Sequence, residues 1–155
     1  MRQRLQSGDT VMRITLNDGL RAIGRLFVPA KGTGPLADET PKRTGKLARS
    51  TYFTIQGAPE DQELDILQPA QTGEGDFYGL YVREGTAPHV IVPKRARALR
   101  FEIGGKVLFR KLVHHPGTKA NPYHRRVLAR LRPEVQNLVN KMGAKVVAYL
   151  SGKGV

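Results

Sequence analysis

Three histidines, His114, His115 and His124, stand close together, and imidazole is the commonest metal-binding side chain. Their surroundings argue against that use. His114 and His115 are adjacent, no acidic or thiol ligand lies nearby, and Lys119, Arg125 and Arg126 would repel a cation. His89, directly after Pro88, reads as a residue that packs or hydrogen-bonds at a strand start. Carboxylates occur in pairs at Glu60-Asp61 and Glu63 with Asp65, but in a polar stretch where solvated side chains are the simpler account. General acid–base work needs a carboxyl group held in a shielded pocket, and nothing marks one. Glu84, just before Gly85, is better suited to an ion pair or a cap than to catalysis. Gly32-Thr33-Gly34 and Gly104-Gly105-Lys106 lack the spacing and context of phosphate-binding loops, and the few serines carry no nucleophile motif. With no cysteine in the chain, disulfides, thiolate metal sites and thiol redox chemistry are excluded, and an intracellular setting is favoured. No catalytic, metal or cofactor site is therefore assigned.

The elements that would position any site follow from length and pattern. A chain of 155 residues with 39% hydrophobic content can bury one core, so a single domain over 1–155 is expected. The first residues lack the apolar run of a signal peptide, and no stretch approaches the roughly 20 apolar residues of a membrane helix, so a soluble protein is expected. Leu16, Leu20, Ile23 and Phe27 recur at helical spacing, predicting a helix within 10–28 capped by Thr15 or Asn17 and ended by Pro29. Gly19 and Gly24 weaken it by about 1 kcal/mol each. Residues 30–43 read as a long loop, and 44–50 as a short helical turn. Strands are expected at 51–55, 64–67 and 89–93, with a hairpin of 98–103 and 106–110 turned by Gly104-Gly105; 77–82 is ordered but of ambiguous type.

The run from His115 to Tyr123 is the clearest local signal. Pro116 and Gly117 force a turn, Asn121 can cap a helix, and Pro122 suits a first helical position. An apolar stripe from Val127 to Leu150 then predicts a long C-terminal helix, with Pro133 kinking or breaking it near 131–132. The fold class is thus α+β: an antiparallel β-sheet with hairpins, packed against an N-terminal helix and a long C-terminal helix.

The formal net charge is +13 and unevenly spread. Acids gather between 60 and 76, whereas residues 86–132 contain many Lys and Arg against the single acid Glu102. Such a balance speaks to partners rather than to fold. Lys94, Arg95, Arg97 and Arg100 form the densest basic cluster, yet only 6% of residues are aromatic, too few for a base-stacking platform. A solvated or protein-facing basic surface is favoured over a sequence-reading one.

Four segments, in order, resemble a known family. Thr44-Gly45-Lys46-Leu47-Ala48-Arg49-Ser50 is similar to a T-G-x-L-x-x-S element, and Tyr81-Val82-Arg83-Glu84-Gly85-Thr86 to Y-V-E-x-G-T with Arg83 in place of an acid. His115-Pro116-Gly117-Thr118 and Asn121-Pro122-Tyr123 resemble an H-P-G-T and P-F-L ending before a long helix, with Tyr123-His124 in place of Phe-Leu. Together they resemble the tail-component family of long-tailed double-stranded-DNA phages, the HK-ninety-seven gene-product-ten-like neck or tail-completion proteins. The resemblance covers roughly residues 40–150 and implies a structural virion protein with no catalytic residues. It further implies a homo-oligomeric ring at the head–tail junction, assembled in the host cytoplasm. A head-closure or adaptor protein, the tail terminator and the tail tube protein would be its partners, with DNA passing through the lumen and no membrane involved.

Heterologous contacts that close under rotation make such a ring. The loop carrying Lys31 and Lys42 and the acidic segment with Glu60 and Asp61 are expected to meet neighbouring copies, the latter facing Lys94, Arg95 and Arg97. A tail-terminator ring is a closely related alternative. A basic DNA-binding protein is a rival of a different class, predicting salt-sensitive binding of free DNA.

Overall fold

The computed structural model describes residues 2–58, 61–73 and 75–152, with side chains from Thr10 onward. The fold is α+β, with a long helix at each end and antiparallel strands between them. The chain gathers into two compact units, Met1–Gly79 with Tyr123–Val155, and Leu80–Pro122.

In the first unit, α1 (Arg2–Phe27) is longer than its periodicity predicts. Thr15 and Asn17 therefore lie inside the helix rather than capping it: Thr15 is buried, and Asn17 Oδ1 accepts a hydrogen bond from Arg21 Nε at 2.7 Å. Gly19 and Gly24 allow close approach. A Cβ at Gly19 would run into the Met142 side chain, and one at Gly24 would stand 2.6 Å from the Phe53 ring. Their helical cost is offset by bringing α1 against the C-terminal helix and the first strand.

The expected long loop at 30–43 contains a helix, α2 (Pro35–Glu39). Pro35 presets the first turn and Leu36 and Ala37 are buried, but five residues are too few to show helical periodicity. Next comes α3 (Lys46–Arg49), the expected short turn, which buries Leu47 and Ala48. β1 (Tyr52–Gln56) and β2 (Glu63–Leu67) form an antiparallel hairpin in which Phe53 faces Ile66.

α4 (Tyr78–Glu84) resolves the ambiguous segment as helix, and the division between the units falls within it. The second unit holds two further antiparallel pairs. β3 (His89–Ile91) pairs with β6 (Val113–His115), and β4 (Leu99–Ile103) pairs with β5 (Lys106–Arg110). The expected antiparallel strands are thus distributed over three two-stranded sheets rather than joined in one.

α5 (Tyr123–Leu150) returns to the first unit and packs on α1 and α2. It runs as one helix through Pro133, so the break that was one of the two expected outcomes does not occur. Pro133 and Ala129, whose carbonyl loses its donor, are both exposed, so water can hydrate that oxygen. No helix of the described residues is long and apolar enough to cross a membrane.

Candidate functional site

The sequence landmarks converge on two places, one in each unit. In the first unit they close a buried polar hub. Tyr123, fully buried at the start of α5, donates from its hydroxyl to Gln68 Oε1. Gln68 Nε2 in turn donates to Thr40 Oγ1 at 2.9 Å and Thr51 Oγ1 at 2.8 Å. Thr40 Oγ1 donates to Leu36 O at 2.6 Å. One amide thus ties the ends of α2, α3 and β2 to the first turn of α5. A fully satisfied buried network of this kind favours one arrangement of its segments, because any slip strands a polar group without water.

The 44–50 motif serves the same region. Gly45 takes a left-handed conformation ahead of α3, Leu47 is buried, and Ser50 Oγ donates to Leu47 O at 2.8 Å. Lys46 Nζ reaches Gln71 O at 2.7 Å. Thr44 is exposed, and its carbonyl accepts from Arg49 Nη2 at 3.2 Å. Across the surface, Glu39 of α2 pairs with Arg126 at 3.7 Å and Arg130 at 3.2 Å on α5. Partly exposed pairs of this sort contribute at most about 1 kcal/mol.

In the second unit the other two motifs clasp one another. Thr86 N–H donates to Thr118 O at 2.9 Å, and Thr118 N–H returns a bond to Thr86 O at 3.1 Å. Gly85 and Gly117 sit on either side of this bridge with φ of 76° and 87°. A side chain at Gly85 would collide with Thr118 O, and one at Gly117 with Thr86 O. Glycine is required at both for backbone conformation and for space. Asn121 N–H donates to Val82 O at 3.1 Å, joining the last motif to α4. Pro122 stands immediately before α5 rather than at its expected first position, which Tyr123 takes.

The histidines are distributed by this geometry. His115 stacks on His89 across the β3–β6 ladder, with ring centroids 4.9 Å apart. His115 Nδ1 accepts from Gly117 N–H at 3.1 Å, and His89 Nδ1 donates to Ala87 O at 2.9 Å, so both imidazoles hold turns. His114 is exposed at the next position of β6, and His124 packs edge-on to Tyr123 in the other unit. Among the described residues, no three His, Asp or Glu side chains are grouped as a metal site would need. Glu84, expected to pair or cap, is exposed and does neither among the described residues. Tyr81, one turn earlier in α4, is also exposed.

Of the suspected interface residues, Lys31, Lys42, Asp61, Lys94, Arg95 and Arg97 are exposed, and Glu60 lies outside the described residues. Lys42 Nζ lies 3.9 Å from Asp38. The paired carboxylates do not form the expected solvated loop throughout, since Glu63 and Asp65 belong to β2 and Asp65 accepts from Gln56 Nε2 at 3.0 Å.

Two features escape sequence reasoning. The Gln68 hub depends on segments far apart in the chain, and no local pattern marks a glutamine after a strand as its centre. The second unit, moreover, buries none of its residues. Val92, Ile103 and Phe109 are 56%, 63% and 60% exposed. Alternating strands predict a buried face, so this openness is visible only in three dimensions. Comparison of the chain with family models, characterised proteins and solved structures finds no match.

Proposed function

We propose that this protein is a non-enzymatic structural subunit of a phage head–tail junction, a neck or tail-completion protein acting in a homo-oligomeric ring between connector and tail. The observation that carries this reading is the second unit, whose strands expose apolar side chains and bury none. A two-stranded sheet with an open apolar face is marginal alone, and exposed apolar patches mark surfaces that partners cover. Subunits assembling head to tail around a closed ring supply such cover.

The order of the motifs supports the same reading. The 81–86 and 115–118 segments are about thirty residues apart, yet they meet through paired backbone bonds and two sterically required glycines. Their side chains build turns and bridges instead of presenting a nucleophile, an acid–base pair or a ligand set. The adjoining head-closure or adaptor protein, tail terminator and tail tube protein are the partners this role requires, and the virion is its location.

Disruption of the gene in the producing phage tests the assignment. The expected result is filled heads and tails of normal length that fail to join, restored by supplying the protein in trans. Overlong tails would instead assign it to the tail-terminator ring, whose absence leaves tube growth unstopped. Normal infectious particles would overturn both assignments.

A further inference from the structure

We infer that the β4–β5 ribbon is a duplex-DNA contact that holds the phosphate backbone without reading sequence. Residues 94–111 carry seven Lys and Arg against the single acid Glu102. Arg95, Arg97, Arg100, Lys106, Arg110 and Lys111 are exposed, and among the described residues none has a carboxylate partner. The register places Arg110 and Lys106 on one face of the ribbon, opposite Leu99 and Ile103, and Arg100 on the other, opposite Phe109. Gly104 and Gly105, with φ of 57° and 77°, close the ribbon in a tight turn.

Charge supply decides between a nucleic acid and the acidic segment of a neighbouring copy. That segment carries four acids, Glu60, Asp61, Glu63 and Asp65, against the seven cations of residues 94–111. It would leave three of those seven cations unneutralised, and a protein surface laid on one face of the ribbon, beside Lys106 and Arg110, would not reach Arg100 on the other. Duplex DNA presents a negative charge about every 1.7 Å of its axis, and its major groove admits a two-stranded ribbon with phosphates flanking both faces. The low aromatic content excludes a stacking platform but places no limit on backbone contact.

The test measures binding of the full-length protein to a mixed-sequence DNA duplex by fluorescence anisotropy over a range of salt. Six phosphate contacts predict an affinity loss of about a thousand-fold between roughly 50 and 200 mM salt. Replacing Arg100 and Arg110 together by Ala should make the slope of log affinity against log salt shallower by about 1.8, since every phosphate no longer neutralised lowers the slope by about 0.9. The pair Lys141→Ala and Lys145→Ala, exposed on α5, should leave the slope unchanged. Circular dichroism and thermal melting of each variant establish that the fold is retained. Absence of duplex binding at the lowest salt would overturn the inference. Equal loss of slope in both double variants would also overturn it, because net charge alone would then account for binding. If Arg100→Ala with Arg110→Ala abolished self-association while leaving the DNA slope intact, the ribbon would belong to the protein–protein interface instead.

Discussion

Tyr123 holds the fold through its hydroxyl as much as through its ring. Replacement by Phe keeps the buried ring but leaves Gln68 Oε1, on a part-buried side chain, without its donor. A buried acceptor left unsatisfied costs about 1–3 kcal/mol, so Tyr123→Phe should lower unfolding stability by that amount in urea titrations. An unchanged midpoint would show that the hub carries no net energy. The tyrosine is legible in the sequence as part of a landmark, because Asn121 and Pro122 before it and the apolar stripe after it announce a helix start. Its partner is not, since Gln68 gains its meaning only when Thr40, Thr51 and Tyr123 are folded around it. The histidines show the same limit. Local charge argues against a metal, but nothing in the sequence indicates that His89 and His115 stack, because their strands are separated by an entire hairpin.

Among the elements, those built from neighbouring residues are the most legible. The Gly104-Gly105 hairpin, the short α3 turn and α5 follow from turn chemistry and periodicity. The α2 helix does not, having less than two turns over which to show a pattern. Pro133 removes a hydrogen bond as its ring demands but does not interrupt α5, because its exposed position leaves the orphaned carbonyl to water. The clasp between residues 84–86 and 115–118 is the element whose failure should be most visible. Gly117→Ala places a side chain in a positive-φ conformation and against Thr86 O. The strain alone costs about 1–3 kcal/mol. Amide hydrogen exchange at Thr86 and Thr118 should therefore accelerate about five-fold or more, while exchange in α1 and α5 stays close to wild type. Global loss of protection would show instead that the two units unfold together.

At the scale of the whole molecule, the two units differ in how they are stabilised. Among the described residues, every buried core residue, from Phe27 and Val28 to Tyr123 and Val127, lies in the unit of Met1–Gly79 and Tyr123–Val155. The unit of Leu80–Pro122 contains two of the four family-like motifs whole and the densest positive charge, with its apolar residues open. A divided arrangement of this kind would suit the proposed assembly component, in which the open strands of the second unit are covered by partners. The most direct measurement is a reconstruction of intact particles at a resolution that traces the chain. The account predicts this subunit in a closed ring between connector and tail, with the strands of Leu80–Pro122 covered by adjoining protein or by DNA. Particles without the subunit, or a ring in which those strands remain bare to solvent, would contradict it.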